Sequence, residues 1–210
     1  MPSSSRMACP VLIASAFASS ALVRQSPIPI LFVRPSETSS EPHSGPVRHV
    51  LVPLDGSELA EGALEPALAL CGDQGHFTLL RVIPAVYSIG AGRPNRRMSE
   101  LGVTLLQQLE ELTQHQMAEA NEYLGKVANR LRARSVSTQI EVVAHDQPAF
   151  AILDAAATHG ADAIAMTTRG QSGFKRLLLG SVANKVVRGA TMPVLVCPSA
   201  ESASISHERG

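Results

Sequence analysis

Residues 49–57 read HVLVPLDGS, and this short stretch decides the fold. His49–Leu54 is an apolar run bounded by Asp55-Gly56-Ser57. Side chains alternate between the two faces of a strand. A run that is apolar at successive positions therefore suits a strand covered on both faces, the usual state in a parallel sheet. The adjoining segment has helical spacing. In Ser57–Cys71 (SELAEGALEPALALC), Leu59, Ala63, Ala67 and Leu70 recur on one helix face. Ser57 suits the N-cap, and Glu58 and Glu61 complement the positive end of the helix. Pro66 is expected to kink the run or shift its boundary.

Outward from this unit the same alternation continues. Strands are expected at Phe77–Ile83, Thr138–Ala144, Asp162–Thr167 and Pro193–Cys197. Helices are expected over Leu101–Arg134, over Pro148–His159 with Pro in the first turn and Gly160 at the end, and from Ser181 to Arg188. Pro84–Arg97 reads as a Pro/Gly/Arg loop. The fold class predicted is α/β: an open five-stranded parallel sheet with helices on both faces, Rossmann-like. Ligands of such sheets bind beyond the carboxyl ends of the strands, so the loops there are where function is sought.

Composition narrows the functions. Lys+Arg 18 and Asp+Glu 18 leave a formal net charge of zero, and aromatics are 3% with no Trp. A general nucleic-acid or acidic-membrane binder would need excess positive charge, and a base-stacking platform would need aromatics. Neither partner is expected, nor a membrane span. Cys9, Cys71 and Cys197 are far apart with no CxxC pair, which disfavours a disulfide framework or structural zinc and fits a cytoplasmic location. The seven His are scattered without ligand-like spacing and read as surface or cap positions.

Two strand ends carry chemistry. Asp55 follows the first strand, where a carboxylate either caps the next helix or serves a ligand, by accepting hydrogen bonds from sugar hydroxyls or by holding a divalent cation. The second is Thr167-Thr168-Arg169-Gly170-Gln171-Ser172-Gly173, which leads to Gly180-Ser181 at the start of a helix. Gly170 and Gly173 allow close backbone approach, and the helix start offers unpaired amides to an anion. Arg169, Lys175 and Arg176 add cations, as do Arg93, Arg96 and Arg97 in the loop after strand two. These are parts of a phosphate cradle, although neither a GxxxxGK[ST] nor a GxGxxG motif is present.

Taken together, His49–Pro198 resembles a universal stress protein domain. The resemblance rests on HVLVPLDGSELAEGALEPALAL, LLRVIP, QPAFAILDAAATHGADAIAMTTRGQSGFKRLLLGSVANKVV and MPVLVCP, in that order. The family's nucleotide motif is Gly, two residues, Gly, nine residues, Gly-Ser/Thr. Gly170 and Gly180-Ser181 match it, and Thr167 stands where the pattern begins with Gly. The resemblance implies the adenine nucleotide alpha hydrolase-like variant of the fold and a bound ATP, with Mg or Mn carried by the nucleotide. It would place Asp55 by the ribose and phosphates, and by any metal. The backbone of Val82 would meet the adenine edge, and Gly170, Gly180 and Ser181 would hold the phosphates. Pro53, Met166, Thr167 and Gly173 complete the expected binding set. The function implied is a nucleotide-dependent switch or scaffold in stress response. The alternatives are a slow ATPase or phosphotransferase, and a dimerisation module that binds no nucleotide.

The chain divides at Ser36–Pro46, a Ser/Pro/Glu linker, into residues 1–45, a domain at 46–198 and a tail at 199–210 read as disordered. The first segment has an apolar run and an Ala16-Phe17-Ala18 site like a secretory signal, and the Ser-rich, acid-poor character of a transit peptide. It also repeats the end of the domain. Residues 22–33 (LVRQSPIPILFV) align with 186–197 (VVRGATMPVLVC) at a constant offset, with Val23/Val187, Arg24/Arg188, Pro29/Pro193 and Leu31/Leu195 identical. The segment is therefore read as a degenerate remnant of a preceding domain, with Ala16-Phe17 where Gly180-Ser181 stands. Pro193–Cys197 is expected to pair either with Ile28–Val33 in the same chain or across a homodimer.

Overall fold

The computed structural model describes residues 11–15, 26, 28–33, 46–72, 75–85, 100–168 and 179–198, with backbone alone for 100–105. Among the described residues seven strands form one sheet: β1 Leu12–Ser15, β2 Ile30–Val33, β3 His49–Pro53, β4 His76–Ile83, β5 Ser137–Ala144, β6 Ala163–Thr167 and β7 Val194–Cys197. Their order is β1-β2-β7-β6-β3-β4-β5. The expected parallel strands are all there, β3 to β7, each within a residue of its predicted bounds. The count of five is corrected to seven because β1 and β2 add themselves beyond β7. β1 runs parallel to β2, and β2 runs antiparallel to β7.

Alternation along the strands sends side chains to two cores. Val50 and Val52, Phe77 and Leu79, Ala163 and Ala165, and Leu195 and Cys197 share one face. Covering that face are α1 Glu58–Glu61, α2 Leu64–Cys71 and α3 Glu100–Arg132. Leu51, Leu80, Ile164 and Met166 share the other face with Val194 and Val196. There α4 Pro148–Thr158 and α5 Ser181–Gly189 pack through Ala149, Ile152, Ala156, Ala183 and Val186. Burying each large aliphatic or Phe side chain contributes ~1.5–3 kcal/mol. Ile30 and Phe32 of β2 are 1% and 3% exposed, so core packing as well as the ladder holds β2 in place.

The helix expected over 57–71 is divided. Gly62 ends α1 and Leu64 begins α2, which puts Pro66 in the first turn of α2, where its missing N–H is not needed. The break rotates the buried face to Ala60, Ala63, Leu64 and Ala67, leaving Leu59 and Leu70 half-buried. Gly160, at φ 62, closes α4 after the C-cap His159.

At the amino ends of the strands the histidines are not scattered. Thr78, fully buried, lies 2.7 Å from Nε2 of His49 and accepts from Nε2 of Gln139 at 2.6 Å. The same Gln139 amide is 3.1 Å from His159 Nδ1, and His159 Nε2 is 2.7 Å from Glu141. Gln139 thus joins the Thr78–His49 contact to the His159–Glu141 contact. His76 packs its ring 4.5 Å from that of His49. Burial, with the charge of His76 next, holds the His49 imidazole below its ordinary pKa. Cys71 is half-buried and its thiol is pushed up to about 11, chiefly by burial and then by Asp162, so it stays protonated. Among the described residues no helix is long and apolar enough to cross a membrane.

Candidate functional site

The strand order reverses at β3. The chain leaves β3 for β4 and β5 on one side, then returns to place β6 and β7 on the other. The ladder between β3 and β6 has two rungs, Val50↔Ala163 and Leu51↔Ile164. Beyond them the carboxyl ends of the two strands part, and a cavity of about 320 Å³ lies there. Its size falls at the lower end of small-ligand pockets, and its place is the topological switch point of the sheet.

Seven of the nine expected binding residues line this one cavity: Pro53, Asp55, Val82, Met166, Thr167, Gly180 and Ser181. Gly170 and Gly173 lie outside the described residues, as do the cations Arg169, Lys175 and Arg176 and the cluster Arg93, Arg96 and Arg97.

The cap of α1 is Ser57, and Asp55 supports it from the preceding turn while lining the cavity. Its Oδ1 accepts from the Ser57 amide at 3.0 Å and from Ser57 Oγ at 2.6 Å. Ser57 in turn caps α1 by accepting from the Ala60 amide at 3.2 Å. The carboxylate is thus oriented by the turn while it lines the cavity. Gly56 makes that turn at φ 87, and a Cβ there would lie 2.1 Å from Nη1 of Arg81. Arg81 packs under the turn with its guanidinium 5.5 Å over the Tyr123 ring. Tyr123 donates to Glu61 at 3.0 Å, and Glu61 pairs with Arg130. Burial, followed by Glu61, raises the Tyr123 phenol above its ordinary pKa, so it remains a donor. This brace from α3 to the Asp55 turn joins residues 55, 61, 81, 123 and 130. No sequence spacing reveals it.

The opposite wall is the N-terminus of α5. Gly180 occupies the N-cap position without any side-chain cap, and its own N–H donates to the Thr168 carbonyl at 2.8 Å. Gly180 thus contributes close packing more than a donor, since a Cβ there would meet that carbonyl at 3.0 Å. Ser181 and Val182, the first helical residues, line the cavity. Amides in a first helical turn have no intrahelical acceptor and carry the positive end of the helix dipole, which favours an anion. Thr167 is buried at the end of β6, with its methyl toward Gly62.

The register settles where Val82 turns its backbone. Leu80 accepts from Leu54 on the β3 side of β4, and Ile83 accepts from His145 on the β5 side. Backbone groups alternate sides along a strand, so Val82 faces the β3 side, past the point where β3 has ended. Its N–H and C=O thereby point toward the cleft. Pro148 and Ile152 of α4 add an apolar wall that sequence spacing does not disclose. The one signal for it is Pro148 itself, a helix start directly after a strand end.

A model of the Universal stress protein family matches residues 46–198. Universal stress protein YxiE of Bacillus subtilis is 27% identical over 149 residues, 70% of this chain and 96% of that one. The solved structure of the hypothetical protein MJ0577 superposes with a TM-score of 0.60 at 26% identity, covering 73% of this chain and 97% of that one. A universal stress protein structure from Archaeoglobus fulgidus has a TM-score of 0.56 at 19% identity. It covers 90% of this chain and 60% of that one, and so shares the fold beyond residues 46–198. This chain belongs to the universal stress protein family, and its role lies in the stress response.

Proposed function

We propose that the cavity binds ATP and that the protein acts in the cytoplasm as a nucleotide-dependent switch or scaffold. One observation carries this reading: a single cavity at the switch point has an oriented carboxylate, Asp55, on one wall and an uncapped helix N-terminus, at Ser181, on the other. A nucleotide needs both. Its ribose hydroxyls donate to a carboxylate, and its phosphates accept from amides. The cleft-facing backbone of Val82 offers a donor and an acceptor to a base edge, between the apolar walls of Met166 and Ile152. The donor set also fits Mg or Mn brought in by the phosphates. Asp55 is the one carboxylate among the described lining residues, and Mg often keeps one or two protein carboxylates alongside phosphate oxygens. Such an ion would neutralise phosphate charge beside Asp55.

A switch needs binding without rapid consumption of the ligand. Phosphoryl transfer asks in addition for a group that positions or activates a nucleophile. Mass spectrometry of ligand released from purified protein, with phosphate release measured on added ATP, separates these roles. Bound adenine nucleotide with no turnover is expected. Turnover abolished by Ser181→Ala would make the protein an ATPase, and an empty pocket that gives no heat with ATP would refute nucleotide binding.

A further inference from the structure

The seam between β2 and β7 is symmetric. Leu31 sits opposite Leu195, with Ile30↔Val196 and Phe32↔Val194 on either side. Leu31 and Leu195 are also the identical pair of the internal repeat, 164 positions apart. Each residue of β2 and its repeat counterpart in β7 therefore stand at equal distances from one pseudo-two-fold axis through the Leu31–Leu195 pair. The faces agree as well: Ile30 and Phe32 join Val194 and Val196 in one core, while Leu31 and Leu195 face the other.

The symmetry extends one strand further. β1 lies parallel to β2 as β6 lies parallel to β7, with Leu12↔Ile30 matching Ile164↔Val194. On that match Val11 and Ala163 share one core, and Ala14 and Met166 share the other. Ser15 then takes the place of Thr167. From Ser15 to Ile30 there are 14 intervening residues, and from Thr167 to Val194 there are 26. The difference of 12 equals the length of 168–179, the loop expected to cradle phosphate. Removing that loop brings Ser15 directly to Ala16-Phe17, the counterparts of Gly180-Ser181.

We infer that β1 and β2 are a second copy of the β6–β7 strand pair whose connection is 12 residues shorter in sequence, and that the copy serves as a built-in cap on the β7 edge. It holds the place another domain or a second copy of this chain would take. An uncovered, wholly apolar strand such as β7 is a template for pairing with another chain. The chain thus carries its own antiparallel partner and does not self-associate through β7. The inference rests on register and repeat, and it stands whether or not the pocket binds nucleotide.

Native mass spectrometry and cross-linking of the full chain test it without nucleotide. The expected mass is that of one chain, 22.2 kDa. In Leu31→Cys/Leu195→Cys, oxidation should join the two cysteines within one chain, since directly opposed strand residues lie within disulfide reach. A bond between chains, no bond at all, or a dimeric parent would overturn the seam. Phe32→Asp places a charge in the packed face and should release the cap. Loss of the intrachain bond in that background should come with at least a twofold rise in weight-average mass. Loss of the bond with the mass still that of one chain would overturn the capping role.

Discussion

The two ends of one sheet use polar residues in opposite ways. At the amino ends, Glu141, His159, Gln139, Thr78 and His49 bond to one another in one hydrogen-bonded chain. At the carboxyl ends, β3 and β6 part and polar groups from Asp55 and the first turn of α5 face a cavity. Both ends are made by the same strands. Polarity therefore does not mark the site. What marks it is a cavity lined in common by residues from strand ends and a helix start.

The contrast breaks most readily at the carboxyl end. Gly180→Val drives a side chain against the Thr168 carbonyl, and we expect ATP affinity to fall at least tenfold, as measured by calorimetry. Gly56→Ala should act in the same direction, since it combines a positive φ with a clash against Arg81 beneath the Asp55 turn. Both variants should keep the amino-end network, visible as unchanged histidine NMR signals.

A change at the other end should have the complementary effect. Thr78→Val takes the hydroxyl partner from His49 Nε2 and one of the two partners of the Gln139 amide, which keeps His159. Losing a hydrogen bond between half-buried groups costs about 1 kcal/mol, so a loss of that order is expected in urea denaturation while ATP affinity is unchanged. A fall in affinity would mean that the two ends are coupled.

Acid should strain the amino end too. The folded-state pKa of His49 lies below its unfolded value of 6.5, so the unfolded chain binds the extra proton first. Its contribution to stability is complete above about pH 6.5 and is lost as pH falls through that value toward the folded pKa. His76 and His159 disfavour the charge on His49 and Asp162 favours it, so their net effect is part of the depression. Denaturation profiles should slope downward below about pH 6.5, and His49→Gln should flatten that slope. The smallest effect belongs to neither end. Arg134→Ala removes an exposed ion pair with Glu65 that solvent screens, and stability should change by less than ~0.5 kcal/mol.

The sheet was legible because buried parallel strands need unbroken apolar runs, and HVLVPL, FTLLRVI and PVLVC have few other uses. The lining of the cavity was legible where it follows a strand end or begins a helix, as at Asp55, Thr167 and Ser181. Other parts depend on register, which one-dimensional spacing does not carry. The two histidines of the network come from β3 and the end of α4, and His76, which packs on His49, from β4, so they are far apart in sequence. Arg81 shows nothing in LLRVIP of its place under Gly56. The added edge strands were visible as a repeat, but their place in the same sheet required the pairing of Leu31 with Leu195.

The central claim is that the open end of the sheet is a nucleotide pocket. Titration calorimetry of ATP with Mg into the full chain and into Gly180→Val tests it most directly. Saturable binding of one ATP per chain is expected in the parent, and at least tenfold weaker binding in the variant. No heat from the parent, or equal affinity in both, would contradict it.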